Sequence, residues 1–370
     1  MTTTLPIGEV MKSVFLLLII ICSWSVYAAD LETGEDTAEI QETGTFAVPI
    51  LHDPPKYPIS ALRRHIEGWV VVRFSVLEDG TTADIEVVDT NVEDLFEEAA
   101  IRAASAWTYR PATRDGKPTT QYNKTARLLF IVKGQDNIVS KQFQNTYKKA
   151  LLSIKDGDMA TAKDLIGKLD ATEKRLLAEV CYLDVLKARY FEKEGDKKKA
   201  NRHVERALVI ADDVVSKNIY VYLLKRSVVN NGLLNNYQKS LKRYATLLEV
   251  DRHLAADDPI HDFAKRVKQE LNGQNYITSS GELADCNHCK SPVWRRRLNR
   301  NHFSIDQVVG TVNEIKIVCQ SGTVLVAYDQ DTVWSINKNW GECFLRVYGE
   351  AGTTLRLLEH PDPANAKQAD

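Results

Sequence analysis

Hydrophobic and polar positions alternate along two neighbouring runs in the first third of the chain. In the run Val72 to Val76 every second residue is apolar, so these side chains share one face of a strand. The run Ala83 to Val88 repeats the pattern, and Asp79-Gly80 between the two is typical of a hairpin turn, because glycine adopts positive φ without steric cost. The pattern predicts an antiparallel β-hairpin.

A helix is predicted directly after this hairpin. From Phe96 to Trp107 apolar residues, most of them alanines, recur at helical spacing, and Glu93-Asp94 supplies the acidic charge that a helix N-terminus favours. Pro111 prevents the helix from continuing. A last alternating run, Ala126 to Val132, completes the pattern. We therefore expect a three-stranded antiparallel sheet with one helix across a face.

Several spaced motifs in this stretch occur together in a known family. They are Tyr57-Pro58, Gly68 at the start of the first strand, Asp79-Gly80 in the hairpin, Ala99-Ala100 in the helix, Trp107-Thr108-Tyr109-Arg110-Pro111-Ala112 and Gly116-Lys117-Pro118. With these motifs, residues 49–133 resemble the TonB C-terminal domain. The resemblance implies a periplasmic module that binds the extended N-terminal peptides of outer-membrane TonB-dependent transporters.

Binding in that family adds the peptide to an exposed sheet edge as a further strand. Unpaired backbone groups supply the affinity, and pockets for alternate side chains supply the selectivity. The matching edge residues in this chain are Arg127, Leu128, Leu129, Phe130 and Ile131. The alternative is that the rest of the chain covers this edge.

Further partners follow from the same resemblance: a second copy of the chain, another periplasmic protein or, if the N-terminus is anchored, an inner-membrane motor complex. Full-length TonB proteins normally carry an inner-membrane helix with a serine and a histidine four residues apart, and a proline-rich spacer. Here no histidine precedes His52, and the acidic run Asp30 to Val48 contains no proline. This departure speaks against energy transduction by the chain but not against peptide binding.

The N-terminal residues 1–29 have the layout of an export signal. Lys12 precedes the apolar run Val14 to Cys22, and the small residues at the end of the segment favour cleavage after Ala28. We therefore expect a periplasmic protein; the alternative is an uncleaved inner-membrane anchor that carries periplasmic domains. Residues 30–48 are expected to form an acidic, solvated linker.

Residues 135–275 follow a helical period with a recurring turn signal. Gly157-Asp158 and Gly195-Asp196 each precede a small residue that would let two helices pack closely, and Asn235 takes the third place, at intervals of 38 and 40 residues. This resembles tetratricopeptide-like repeats, although their usual period is about 34 residues. The pattern predicts stacked helix pairs with a concave face for a partner; the alternative is a plain helical bundle. Cys181 is expected in the helical core.

Residues 276–360 change to short strands separated by tight turns, which predicts a small all-β domain, and residues 361–370 are expected to be a disordered tail. An even set of cysteines in an exported chain favours disulfides. The expected pairs are Cys319 with Cys343 and Cys286 with Cys289. Two alternatives for the segment Cys286 to Cys289 are a zinc site and a redox-active pair.

Charge and the remaining motifs indicate no catalytic site. The formal charge of −2 gives no general case for nucleic-acid binding, and the basic patch Trp294 to Arg297 with Arg300 is interpreted as solvated surface. The histidines interpreted as surface or core residues rather than ligands are His52, His65, His203 and His302. The sequence contains no nucleophile elbow, phosphate loop, dinucleotide fingerprint or zinc-protease motif. We predict a protein without enzymatic activity, cofactor or metal.

The sequence as a whole predicts an α+β multidomain binding protein. A TonB-like sheet with its helix comes first, a helical-repeat region follows, and a disulfide-linked β domain ends the fold. The favoured function is peptide recognition in TonB-dependent transport. The alternative is a periplasmic protein-interaction scaffold that uses the helical repeats and has no role in energy transduction.

Overall fold

A computed structural model describes residues 44–92, 94–132, 139–172, 176–285, 291–330 and 332–362. The expected export signal, most of the acidic linker and most of the expected tail lie outside these ranges. Within the ranges, no helix is both long enough and apolar enough to cross a membrane.

An α/β region opens the described chain. Its elements are β1 (Gly44–Thr45), β2 (Val48–Leu51), α1 (Ile59–Arg64), β3 (Gly68–Val76), β4 (Thr82–Thr90), α2 (Glu97–Ser105), β5 (Thr108–Arg110), β6 (Ala112–Arg114), β7 (Lys117–Thr119) and β8 (Gln121–Phe130). The long strands pair antiparallel in the order β4–β3–β8, which confirms the predicted three-stranded sheet. The last strand begins at Gln121, earlier than expected.

Helix α2 covers one face of this sheet. Phe74 and Leu128 are buried on that face, in one core with the alanines of the helix. Because alanine projects only a methyl group, the helix axis can lie close to the strands. The helix ends at Ser105, so Trp107 fills the core from the segment that follows it rather than from the predicted helical stripe.

The sequence pattern does not predict the short strands β1 and β2. They pair with β6 and β5, which places Gly44 opposite Arg114 and Val48 opposite Arg110. The paired residues are far apart in sequence, so the pairing produces no local periodicity. Packing in the folded sheet stabilises it. Paired structure therefore begins at Gly44, among residues that were expected to be linker.

The opposite face of the sheet packs against helices from the middle of the chain. Trp69 is fully buried there, and Val71 and Leu129 pack beside it, in one core with helix residues such as Leu224. The Arg206 guanidinium lies over the Trp69 ring, 5.1 Å from its centroid. The α/β region and the helices therefore share a hydrophobic core.

The middle of the chain is helical. Its elements are α3 (Lys141–Asp156), α4 (Met159–Asp170), α5 (Leu177–Lys193), α6 (Lys197–Leu208), α7 (Ala211–Val214), α8 (Lys217–Leu233), α9 (Tyr237–Val250) and α10 (Pro259–Asn272). Helices α3–α4, α5–α6 and α8–α9 are joined by turns of two or three residues and form successive pairs.

Each pair turns at the residues that the sequence singled out. Gly157 and Gly195 adopt φ of 85° and 80°, and Asn235 adopts 56°. Asparagine can take this third place because its short polar side chain tolerates the left-handed conformation. The small residues that follow each turn, all of them buried, are Ala162, Ala200 and Ser240. The turns and the close packing agree with the repeat pattern, while the tetratricopeptide resemblance itself stays a prediction.

The C-terminal region consists of strands. Its elements are β9 (Ile277–Glu282), β10 (Val293–Arg297), β11 (His302–Val309), β12 (Val312–Cys319), β13 (Thr323–Val326), β14 (Trp334–Ser335), β15 (Cys343–Gly349) and β16 (Thr354–Glu359), with a 3-10 turn at Lys338–Trp340. They form two four-stranded antiparallel sheets, β10–β15–β12–β13 and β14–β11–β16–β9, around one apolar core. Short strands separated by turns therefore occupy residues 277–359, in agreement with the sequence pattern of this region.

The interpretation of the basic patch as solvated surface is wrong for Arg300, which is 8% exposed. Its guanidinium donates to four backbone carbonyls between Glu270 and Asn275, at 2.7–2.8 Å. These carbonyls lie at the C-terminal end of α10, where a cation is favoured because the last helical carbonyls lack partners. Arg296 likewise donates to the carbonyl of Asn235 at 2.8 Å. Both arginines therefore join the C-terminal sheets to the helices.

Candidate functional site

The edge strand β8 is the candidate site. Its ladder partner is β3, with Val71 opposite Arg127 and Trp69 opposite Leu129. Among the described residues no second strand pairs with it, and β8 stands at the end of the sheet order. The outer margin of β8 from Arg127 to Phe130 therefore presents backbone donors and acceptors that no described strand uses.

The side chains of this edge alternate between two hydrophobic cores. Leu128 and Phe130 are buried in the core under α2, where the Phe130 ring stacks on Phe96 with centroids 4.2 Å apart. Leu129 packs into the core shared with the helices. Ile131, just past the strand, is 46% exposed. The side chains of most of the predicted edge residues therefore fix the strand in the fold.

Arg127 connects the edge to the short helix α7. Its guanidinium pairs with Asp212 at 2.7 Å and with Asp213 at 2.8 Å, and also donates to the carbonyl of Val209. The arginine side chain is 30% exposed, so each ion pair contributes only about 0.2–1 kcal/mol. Together these contacts hold the C-terminal half of β8 against the helices.

The beginning of β8 is covered by the C-terminal region. The Tyr122 backbone N–H donates to the carbonyl of Gln320 at 2.9 Å, and Asn123 Nδ2 donates to the carbonyl of Val318 at 2.6 Å. Among the described residues these bonds end at Asn123, whereas the predicted edge starts at Arg127. These contacts from the C-terminal region therefore fall before the predicted edge, and coverage of the edge itself stays the alternative.

Glu67 joins the end of β8 to the helices, a role that sequence reasoning missed. Its carboxylate is buried, with Oε1 accepting from the N–H of Val132 and Oε2 from the N–H of Leu177, each at 3.0 Å. Leu177 begins α5, and the free N–H groups of a helix N-terminus favour an anion. The only signal in the sequence is an acidic residue directly before the strand that starts at Gly68.

Arg206 secures the other edge of the sheet, at the end of β4. It pairs with Asp89, donates to the carbonyl of Thr90 at 3.1 Å and lies 3.7 Å from Asp184. Burial raises the pKa of Asp89 even though Arg206 beside it acts in the opposite direction. The end of β4 is therefore held by Arg206, a side chain of α6.

Two motif residues tie loops to the core of the sheet. The Tyr57 hydroxyl donates to the carbonyl of Ile66 at 2.6 Å, and Trp107 Nε1 donates to the carbonyl of Asp53 at 2.9 Å. Burial, with the charge of Glu67 nearby, raises the pKa of Tyr57 to about 12, so this phenol stays protonated at neutral pH. Both residues are structural.

The hairpin motif fits closely against β5. Gly80 has φ of 84°, its carbonyl accepts from the N–H of Tyr109 at 2.8 Å, and a Cβ there would lie 2.0 Å from the Tyr109 carbonyl oxygen. Asp79 accepts from the N–H of Thr81 at 2.9 Å and closes the turn. The remaining motif positions are Gly68 against the Phe96 ring, Pro58 before α1 and Pro111 between β5 and β6.

The predicted bridge between Cys319 and Cys343 is present and joins β12 to β15. It adjoins the contact with β8, because Gln320 directly follows Cys319. Cys286 and Cys289 lie outside the described residues, so their disulfide, zinc and redox interpretations stay predictions. Cys181 is buried in the helical core as expected, and burial raises the pKa of its thiol.

Removal of the Cys319–Cys343 bridge is expected to destabilise the C-terminal sheets by about 3 kcal/mol, because the bridge restricts the unfolded chain. The variant Cys319→Ala/Cys343→Ala should unfold at lower urea concentration than the wild type when the full chain is followed by circular dichroism. Cys286→Ala/Cys289→Ala is the comparison variant: it keeps the Cys319–Cys343 bridge, and it should cost less stability because the predicted Cys286–Cys289 bridge closes a much shorter loop. Equal stability of the bridge variant and the wild type would contradict the expectation.

The four histidines singled out in the sequence take structural positions. His203 Nδ1 lies 2.7 Å from Asp184, His52 stacks on Trp107, His302 Nδ1 lies 2.8 Å from Ser335 Oγ, and His65 ends α1 with φ of 53°. Within the described ranges, no three or more His, Cys, Asp and Glu side chains gather into a group that could hold a metal ion.

Comparison with known proteins points to the same part of the chain. Residues 53–130 match the model of the family described as Gram-negative bacterial TonB protein C-terminal. Protein tonB2 of Pseudomonas aeruginosa is 38% identical over 68 residues, which is 18% of this chain and 25% of the relative. Protein TonB of Escherichia coli is 31% identical over 84 residues, which is 23% of this chain and 33% of the relative. The chain thus spans a third or less of these relatives.

Two solved structures align with part of the chain. The solution NMR structure of the Pseudomonas aeruginosa TonB CTD has 30% sequence identity, and the alignment covers 25% of this chain and 91% of that one with a TM-score of 0.23. The TonB2 protein from Vibrio anguillarum has 28% identity over 33% of this chain and 100% of its own, with a TM-score of 0.20.

Proposed function

We propose that this protein binds extended peptide segments of outer-membrane TonB-dependent transporters, which add to β8 as a further strand. The observation that carries the proposal is the outer margin of β8 from Arg127 to Phe130, which has no strand partner among the described residues. The match of residues 53–130 to the TonB C-terminal family supports the choice of partner. The proposed role in TonB-dependent transport is recognition and includes no catalytic step.

The length of the open margin of β8 limits how many residues of a bound peptide can pair with it. The carbonyls of Gln320 and Val318 accept hydrogen bonds from Tyr122 and Asn123, and Glu67 accepts one from the N–H of Val132. Between these contacts lie residues 124–131, which span about 26 Å at roughly 3.3 Å per residue. Each backbone hydrogen bond contributes about 0.5–1.5 kcal/mol, so a guest must use most of this margin to bind firmly.

The proposed location is the periplasm, and recognition at β8 does not require an inner-membrane motor. Contact with a motor would depend on the N-terminal segment, which lies outside the described residues. Peptide binding at β8 is expected whether or not the protein also transduces energy. The experiment below therefore tests peptide binding alone.

Addition of a synthetic transporter N-terminal peptide is expected to shift the NMR amide signals of Arg127 to Ile131 and to slow their hydrogen exchange, because the guest would shield these backbone groups. The measurement uses the full chain labelled with ¹⁵N. Residues 84–88 on the opposite edge, β4, serve as the internal control and should change little.

Methylation of the peptide backbone provides the second control. In an antiparallel or parallel added strand, alternate residues of the guest face the template. One peptide methylated on odd backbone nitrogens and one methylated on even nitrogens should therefore differ sharply, with only one of them binding. If both bind equally, or if the shifts fall only on α3, α5 and α8, strand addition at β8 is contradicted.

A further inference from the structure

A groove between the first helices of the three pairs is separate from β8. Helices α3, α5 and α8 line a recess of about 660 Å³. Leu151 and Leu152 from α3 and Tyr222 from α8 contribute its apolar surface. Leu152 is 56% exposed, although it lies in the same helix as the buried Ile154. The recess therefore presents apolar surface that the described chain leaves open to solvent.

Positively charged side chains surround this apolar surface. The lining cations are Lys148, Lys155, Arg189 and Lys193. Among the described residues none of these four has an ion-pair or hydrogen-bond partner. The carboxylate of Glu192 also lines the groove, but it pairs with Arg226 at 2.6 Å. The groove is thus locally cationic in a chain whose formal charge is −2.

Two other cations of the helical region do have carboxylate partners. Lys168 pairs with Asp164, and Lys187 pairs with Asp170, at 2.7 and 2.8 Å. The four groove cations come from two helices, α3 and α5, and converge on a recess in which the described residues supply no unpaired carboxylate.

Arg189 lies at the centre of this arrangement. Its guanidinium packs on the Tyr222 ring, 4.9 Å from the centroid, and its Nε is buried without a hydrogen-bond partner. A buried donor without an acceptor costs folding free energy, and the cost disappears when an acceptor arrives. A guanidinium can receive a carboxylate through two parallel hydrogen bonds.

We propose that this groove binds an acidic segment of a partner protein, with a large apolar side chain on Leu152 and Tyr222 and carboxylates on Arg189 and the lysines. Charge complementarity selects an acidic partner, and the exposed leucine in a recess selects one that also carries an apolar side chain. A flat membrane surface cannot enter a recess between helices, which favours a peptide chain over a lipid headgroup layer. The site does not depend on peptide binding at β8.

The test measures binding of a fluorescein-labelled, glutamate-rich peptide with two leucines one helical turn apart, by fluorescence anisotropy on the full chain. Charge reversal by Lys148→Glu/Lys155→Glu is expected to raise the Kd about tenfold, since two attractive contacts become repulsive. Lys163→Glu/Lys197→Glu is the matched control, because it changes the net charge equally on exposed positions of α4 and α6. This control should raise the Kd no more than about twofold, because distant charges are screened by salt.

The apolar contribution has its own pair of variants. Leu152→Asn is expected to weaken binding several-fold, whereas Leu233→Asn, at a leucine of α8 that is 52% exposed and does not line the groove, should not. Both positions are exposed, so neither variant should disturb folding, and circular dichroism checks this.

Several outcomes would overturn the proposal. They are failure of the wild type to bind the glutamate–leucine peptide, equal losses in groove and control variants, or equal binding of a lysine–leucine peptide. Binding to anionic phospholipid vesicles is measured separately. If the wild type binds vesicles but not the peptide, and the groove variants lose vesicle binding, the cations bind a lipid surface instead. Because the β8 experiment uses a different peptide and different reporter residues, either proposal can fail without the other.

Discussion

Replacement of Gly80 by valine is expected to cost about 4 kcal/mol or more and to unfold the α/β region under conditions in which the wild type is folded. Gly80 has φ of 84°, and an added Cβ would lie 2.0 Å from the carbonyl oxygen of Tyr109. The same two residues share a hydrogen bond of 2.8 Å, so Tyr109 cannot move away without losing it. Urea unfolding followed by circular dichroism and tryptophan fluorescence measures the loss.

Gly116→Val separates the contact from the backbone conformation. Gly116 also has positive φ, 76°, but a Cβ there would meet no atom within 4 Å. This variant should therefore carry only the left-handed strain, about 1–2 kcal/mol. If the two glycine variants are equally stable, the approach of β5 to the hairpin is not what requires glycine at position 80.

Removal of the Glu205 carboxylate has the second large expected effect. This side chain is 15% exposed and pairs with Lys239 at 3.0 Å and Arg243 at 2.7 Å, while Ser227 donates to it at 2.5 Å. The variant Glu205→Ala leaves two partly buried cations without their counter-charge. Such a loss costs about 3–5 kcal/mol, and we expect the urea midpoint of the helical region to fall accordingly.

The same carboxylate makes stability depend on pH. Burial alone would raise the pKa of Glu205, but Lys239 and Arg243 outweigh it and lower the pKa from 4.5 to about 2. Because the folded pKa lies below the unfolded one, the stabilisation is complete above about pH 4.5 and is lost as pH falls toward 2, a change of about 3 kcal/mol. Burial lowers the pKa of Lys239 even beside this carboxylate, so attraction offsets only part of the cost of burying the ammonium.

Two variants check this assignment. Glu205→Gln should lose less stability than the wild type between pH 4.5 and pH 2, because no charge is titrated at position 205. Glu192→Ala breaks a more exposed pair, with Arg226, and should cost at most about 1 kcal/mol. A pH dependence that is identical in Glu205→Gln and the wild type would show that other carboxylates dominate acid unfolding.

Local pattern was sufficient wherever the partners of an element lie nearby in sequence. Asp79-Gly80 predicted the β3–β4 hairpin, and the turn residues of the helix pairs predicted where each pair reverses. The sequence also contains a signal for the second packed face of the sheet, but the alternating pattern of β3 does not reveal it. The run Gly68 to Val72 is apolar at every position from Trp69 onward, which is typical of a strand buried on both faces.

The surroundings of β8 could not be predicted from one sequence. The edge strand was recognised from its alternation and its family motifs, but the contacts that limit it come from distant segments. Glu67 reaches Leu177, Tyr122 reaches Gln320, and Arg127 reaches Asp212. None of these pairs has a fixed spacing or periodicity. The burial of Arg300 escaped prediction for the same reason, because its acceptors lie at the end of α10.

Packing on both faces of β3 has a mechanical consequence for any strand that joins the sheet. The hairpin and β8 cannot curl or change their twist to suit a ligand, because α2 holds one face and the helices around Trp69 hold the other. A peptide would therefore have to adopt the existing twist, and the loss of conformational entropy would fall mainly on the peptide. Tension on such a peptide would pass through Trp69 and Arg127 into the helices, so the load would be shared by the whole described body of the protein.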